Sequence, residues 1–263
     1  MASWKTPLAA SSLSPGLPGH SLTITAMATV NEILDELREM GSESIKRMMM
    51  KNHGVKEPYF GVRIGDMQKI RKRIKQDHEL ALALYATGNY DAMYLAGYLT
   101  DDARMTKADL QRWADAAYGA GLPGTTIPWV ASSSPHGHAM ALKWIDSKKP
   151  NVAVAGWSTL SCLVALKDDA ELDLMELTSL IERVKQSIPA APDAVKYAMN
   201  GFLISVGSSV KALTNLAIQT GEEIGHVEAD LGNNSCEFFH APDYIRKVQA
   251  RGTIGKKRKT MRC

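Results

Sequence analysis

The sequence predicts an all-α protein, an α-solenoid of stacked antiparallel helix pairs with an irregular C-terminal segment. Three observations carry this. Apolar residues recur at helical spacing almost without interruption from residue 27 to residue 221. The links between periodic segments are short and place Asp, Asn, Thr, Ser or Pro at their boundaries. Three apolar segments repeat a Gly followed by an aromatic residue: Leu95-Ala96-Gly97-Tyr98-Leu99, Val154-Ala155-Gly156-Trp157 and Met199-Asn200-Gly201-Phe202-Leu203. Gly inside a helix costs about 1 kcal/mol against Ala. The same cost at three places points to one structural job: the small residue admits a neighbouring helix and the aromatic fills the next gap. The spacings between these glycines differ, so the repeat is degenerate.

The elements follow in order. Residues 1–26 hold three prolines and five serines and no acidic residue, a composition expected to be disordered. They lack the apolar stretch of a secretory signal and the arginines of a transit peptide. Met27 opens the first periodic segment and is a candidate start; Val30, Ile33, Leu34 and Leu37 form its apolar stripe. Ser42 is the expected N-cap of a second helix whose Met48–Met50 run reads as core packing. A Gly- and Pro-marked loop spans His53–Val62, and Asp66 is expected to cap a helix through Lys75. Further helices are expected at about 78–87, 90–99, 106–119, 125–132, 136–146, 151–166, 172–188, 193–206 and 208–221, with Asp77, Asn89, Thr106, Ser147 and Pro192 at their starts. Periodicity lapses over 222–241, where Val227–Leu231 alternates like a short strand or an extended cover. A last helix, about 242–250, leads into a basic tail. The expected organisation is an extension (1–26), a helical repeat domain (27–241) and a C-terminal helix with tail (242–263).

At 263 residues and 45% hydrophobic content the chain can bury a large core without disulfides or metal. No apolar run reaches the roughly 18 residues of a membrane span, and Val152–Leu166 reads as a buried helix. Cys162, Cys236 and Cys263 are too few and too scattered for a disulfide framework; Cys162 is expected in the core. The expected location is cytoplasmic, at the nucleoid in a prokaryote. The net charge of +3 is unevenly placed. Residues 246–263 hold eight basic residues and no acidic one, which leaves the rest of the chain at −5. A local basic tail suits a polyanion.

No cofactor or metal is expected. His136 and His138 are the only close pair of histidines, and i, i+2 positions diverge on a helix. Gly252-Thr253-Ile254-Gly255-Lys256-Lys257 has the wrong glycine spacing for a phosphate loop and no strand before it. Ser132-Ser133-Ser134-Pro135-His136 lacks an orienting carboxylate and reads as helix-end capping. The basic clusters say more. Lys69, Arg71, Lys72, Arg73 and Lys75 crowd one helix behind Arg63, with Lys69, Lys72 and Arg73 on one face and Ile70 and Ile74 opposite. Only Asp66 opposes them locally. Together with Lys256, Lys257, Arg258 and Lys259 they make two candidate phosphate contacts.

The stretch Tyr59-Phe60-Gly61-Val62-Arg63-Ile64-Gly65-Asp66, the helical array and the closing Gly255-Lys256-Lys257-Arg258-Lys259 resemble the DNA alkylation repair family, AlkD-like DNA glycosylases built from HEAT-like repeats. The resemblance runs from about residue 29 to the C-terminus. It implies a concave basic groove that holds duplex DNA and hydrolytic release of cationic alkylated purines. In the family scheme tryptophans pack on the deoxyribose, a carboxylate stabilises the sugar cation and an arginine holds the backbone. Carried over, the aromatic places fall on Trp129 and Phe202, the carboxylate place on Ser133 and the arginine place near Gly156. Both charged places are therefore lost, and Asp146 is the nearest carboxylate. Trp129, after Pro128, is the tryptophan expected to line the concavity; Trp157 is expected to pack.

The expected function is nucleic-acid binding in a concave basic groove by a monomer, with alkylated duplex DNA as partner and excision of alkylpurines as the implied chemistry. The alternatives are a binding module without catalysis and a HEAT-like solenoid for protein partners.

Overall fold

The computed structural model describes residues 28–230 and 238–262. The extension 1–26, Met27, Cys236 and Cys263 lie outside them. Thirteen α-helices are found among the described residues, and no strand: α1 Val30–Glu39, α2 Glu43–Asn52, α3 Ile64–Ile74, α4 His78–Ala86, α5 Tyr90–Leu99, α6 Lys107–Ala116, α7 Ile127–Ser133, α8 Gly137–Trp144, α9 Pro150–Leu166, α10 Leu174–Ser187, α11 Asp193–Ser209, α12 Thr214–Ile224 and α13 Ala241–Ala250. They stack as an α-solenoid of helix pairs joined by short links. Val227–Asp230 is irregular, without strand pairing.

Several starts are fixed by the residue types that predict them. Thr29 and Glu32 form a reciprocal capping box on α1, and Thr106 with Asp109 forms another on α6. Asp77 accepts from the Leu80 amide at 3.0 Å, and Asn89 from the Ala92 amide at 3.1 Å. Others differ. Helix α3 opens at Ile64, so Asp66 sits in its first turn and pairs with Lys69 instead of capping. Ser42 holds the N-cap position of α2 without a side-chain bond to it. Ser147 accepts from the Lys149 amide, one residue ahead of α9. The helix expected at 208–221 begins at Thr214, because α11 runs on to Ser209. No α2 residue is fully buried, and Met48 and Met50 are exposed, so the methionine run is mostly surface.

The core has two adjoining parts. One is built from α1 and α3–α8 with the start of α9; the other from α8–α13. Helix α9 is the spine, packed against α7, α8 and α11. No single helix among the described residues is long and apolar enough to cross a membrane. Helices α11 and α12 pass that test only as a pair, bent by 113°, and their apolar faces lie in the second core.

Two of the three Gly-aromatic positions do the expected work. A Cβ on Gly97 would stand 2.6 Å from Thr126 Cγ2, in the turn before α7. One on Gly156 would meet the Ile145 amide nitrogen at 2.7 Å and the Ala141 carbonyl oxygen at 3.0 Å, both on α8 and its end. Gly201 has nothing within 4 Å. On α11 the close approach is made six residues later, where a Cβ on Gly207 would lie 2.9 Å from both Ala217 Cβ and Ile245 Cγ1. Opposite signs follow. Gly156→Ala should destabilise by about 2–3 kcal/mol, because backbone must move. Gly201→Ala should stabilise by about 0.5–1 kcal/mol, because an open helical site gains only propensity. Urea denaturation of the two variants checks both.

Candidate nucleic-acid interface

The Tyr59–Asp66 stretch is an ordered loop clamped from behind. Asp91, buried in the first turn of α5, accepts from the backbone amides of Phe60 at 2.8 Å, Gly61 at 3.1 Å and Val62 at 3.1 Å. Burial pushes its carboxyl up to about 6, while the three amides pull the other way. The Tyr59 ring meets Tyr90 edge-on at 5.3 Å, and burial holds its phenol well above the ordinary range. This clamp fixes where α3 begins and how it presents its cations.

Those cations are less available than the sequence implies. Arg63 takes the N-cap position of α3 and is exposed, as is Lys72. Lys69 pairs with Asp66 at 2.8 Å. Arg73 reaches across to α1 and makes a two-armed contact with Glu36, at 3.2 and 2.5 Å. Ile70 and Met67 bury the opposite side, with Ile74 partly covered. Arg71 turns from the group and lies over the Tyr98 ring at 4.9 Å. Such exposed pairs hold weakly, so a phosphate can displace the carboxylate from Lys69 or Arg73.

The basic tail is a strap that returns along the solenoid. The Gly255 amide donates to the Ser208 carbonyl at 2.9 Å, and the Arg258 amide to the Ala165 carbonyl at 2.8 Å. The tail thereby crosses the C-terminal ends of α11 and α9. Arg262 ends the course at α5: Nε donates to the Gly97 carbonyl at 2.8 Å, and its two terminal nitrogens hold both Asp102 oxygens at 2.6 Å. This pair is nearly buried. Desolvation raises the Asp102 pKa and the Arg262 contact opposes the rise. Lys257 is also turned inward, to the Val164 carbonyl at 2.9 Å and Asp169 at 2.8 Å. Lys256, Arg258 and Lys259 are left exposed, with no ion pair among the described residues. The strap thus divides its cations between anchors and outward-facing charges.

Strap and α3 meet around Tyr98. Tyr98 carries Arg71 on its face, adjoins Gly97 where Arg262 lands, and packs against Trp129 at 5.3 Å. Arg258 lies near Cys162, whose thiol burial pushes up to about 12 against the pull of Ser132 and Arg258.

The aromatic places taken over from the family resemblance are interior. Trp129 is only 5% exposed, wedged against Tyr94 and Tyr98, and does not line an open wall. The five-residue π-helical turn Leu122–Thr126 runs straight into α7, whose residues Ile127–Ser132 are all buried, so Trp129 sits on a helix with no open side there. Phe202 is fully buried under Trp157, at 5.3 Å, so neither ring of that pair meets solvent. Ser133 is exposed at the end of α7. Its neighbours Ser132 and Ser134 donate to the Trp129 and Ala131 carbonyls at the C-terminal end of α7, and α8 starts after its N-cap His136 without a side-chain cap. Asp146 is paired with Arg183 at 2.6 Å. The sequence carries no local sign of what Asp91, Asp102 and Arg262 hold. Asp91 carried no signal beyond its place in an apolar helix, and Arg262 looked like one more tail cation.

Two uncharacterised proteins align over 231 residues, covering 86% of this chain and 99% of theirs: Lin0241 of Listeria innocua, 27% identical, and Lmo0209 of Listeria monocytogenes, 26% identical. A solved structure superposes with a TM-score of 0.83 at 37% identity, over 90% of this chain and all of that one. It is described as a new family of proteins related to the HEAT-like repeat DNA glycosylases with affinity for branched DNA structures. The sequence model of the family described as DNA alkylation repair enzyme matches residues 33–230. The chain therefore belongs to the DNA alkylation repair enzyme family and has its HEAT-like repeat fold.

Proposed function

We propose that this protein binds branched DNA as a monomer and does not excise bases. The observation that carries the reading is the strap: Lys256, Arg258 and Lys259 stand outward on a segment pinned by Arg262 and Lys257, so their charges are positioned before DNA arrives. Arg63 and Lys72 on α3 add two exposed cations. The affinity for branched DNA of the similar solved protein supports the choice of substrate. The absence of chemistry is supported by the residues at the family's catalytic places. Ser133 offers no anion to a sugar cation, Asp146 is occupied by Arg183, and Trp129 and Phe202 are buried.

Fluorescence anisotropy with four-way-junction and linear DNA tests the binding. Between 50 and 200 mM salt the affinity should fall roughly 10²-fold, as expected for about four neutralised phosphates. Reversing Lys256, Arg258 and Lys259 to Glu should reduce the salt slope by about three. Salt-independent affinity would refute the reading. Free methylpurine released above background from alkylated duplex would refute the non-catalytic part.

A further inference from the structure

Three large aromatic side chains are exposed among the described residues, and all three stand together at one end of the solenoid: Tyr197 on α11, Phe239 just ahead of α13 and Tyr244 in α13's first turns, each about 40% exposed. Phe239 and Tyr244 are 5.4 Å apart between ring centres, and Phe238 links them to Tyr197 at 6.2 Å. An open hollow of about 370 Å³ is lined by Phe238, Phe239, His240, Asp243, Tyr244 and Lys247. The rings stand on fixed backbone. Asn200, itself buried, donates to the Phe239 carbonyl at 2.8 Å, and Ala241 and Ile245 anchor α13 in the second core.

Charge leads to this hollow along one line. Tyr244 and Lys247 lie on the exposed side of α13 and the C-cap Arg251 follows at the same helical spacing, and the strap continues with Lys256, Arg258 and Lys259. Asp243 beside the rings is engaged by His240 at 3.0 Å and faces Arg246. The hollow itself is lined by aromatic and polar side chains, with no aliphatic one among the described residues. An unpaired nucleotide finds what it needs: aromatic faces for the base and a row of cations for its phosphates.

We infer that Phe239 and Tyr244 form a stacking platform for an unpaired nucleobase, with Lys247 and Arg251 on the phosphates of the same strand. This rests on the DNA-binding reading above and adds a preference within it, for branches that carry a single-stranded arm over those that are fully paired. Every base has a π-face, so the platform takes any base.

The test uses the full chain and three DNAs: a fork with single-stranded arms, a fully paired four-way junction and a linear duplex. A 2-aminopurine in the fork's arm reports stacking. The wild type should bind the fork most tightly and quench the probe. Phe239→Ala and Phe239→Leu should each weaken fork binding about 10-fold and abolish the quench, with the other two affinities unchanged. The leucine variant keeps an apolar side chain and loses only the ring. Fork affinity and quenching unchanged in both variants would overturn the platform, as would equal losses on all three DNAs. A wild type that binds none of them would instead overturn the parent reading.

Discussion

Replacing Asp91 with Ala is expected to cost about 3–5 kcal/mol and to lower the melting temperature by roughly 10 °C. The carboxylate accepts from three consecutive amides, of Phe60, Gly61 and Val62, and the last two are buried. Removing the acceptor strands donors that water cannot reach. Asp91→Asn should cost about 2 kcal/mol. If its oxygen keeps Phe60 and Gly61, its amino group faces the Val62 amide, donor against donor. The pH dependence separates the pair. The folded carboxyl titrates at about 6 against an ordinary 3.8, so the native state holds its proton more tightly than the unfolded chain. The advantage this gives is complete below pH 4 and lost as the pH rises through 6, about 3 kcal/mol in all. The stability of the wild type relative to Asp91→Asn should therefore shrink from pH 4 to pH 7; other titrations cancel in that difference. Urea unfolding at both pH values measures it. A constant difference would show that Asp91 is not desolvated as its burial implies.

Arg262→Ala is expected to be nearly as damaging, by about 3 kcal/mol, and its effect is local first. The substitution leaves the Asp102 carboxylate in a nearly closed site without its two-armed partner, and breaking a buried pair costs more than never having formed it. The Gly97 carbonyl loses a donor at the same stroke. The strap should detach from its end inward, so amide exchange over residues 256–262 should rise sharply before the helices respond. Asp102, already raised by desolvation, would rise further without the guanidinium. The deficit should accordingly ease in acid, where the carboxyl is protonated, and grow towards neutral pH. Arg262→Lys restores the charge and not the fork, and should recover only part of the loss. Unaltered exchange in the strap would refute the anchoring role. DNA affinity should fall in Arg262→Ala even though Arg262 itself faces inward, because Lys256, Arg258 and Lys259 lose their fixed course.

The two substitutions act at opposite ends of one arrangement. Asp91 sets the loop that launches α3, and Arg262 fastens the strap to the end of α5. Between them lies Tyr98, with Arg71 on its face and Trp129 behind it. Both the helix cations and the strap cations are thus referred to α5, which is buried along its whole length. A rigid element presenting charges from two distant chain segments keeps their spacing, which a flexible tail cannot do.

What the sequence by itself determined is everything that depends on near neighbours. Helical periodicity and the Asp77, Asn89 and Thr106 caps depend on spacings of a few residues, and local chemistry settles them, whereas the same Gly-aromatic pattern packs closely at Gly97 and Gly156 and stands open at Gly201. The family motif at Tyr59–Asp66 was legible for the same reason. What only the tertiary structure decided are the contacts made across long separations. Glu36 neutralises Arg73, Asp91 clamps Phe60–Val62, and Asp102 captures Arg262 from 160 residues away. A cation's worth to DNA depends on which carboxylate folding brings beside it, and that distance is not written along the chain. The same holds for Trp129 and Phe202: an aromatic at a given position packs inward or faces a groove according to the roll of its helix. Helix α7 is enclosed from Ile127 to Ser132, which buries Trp129, and the packing of α9 against α11 buries Phe202.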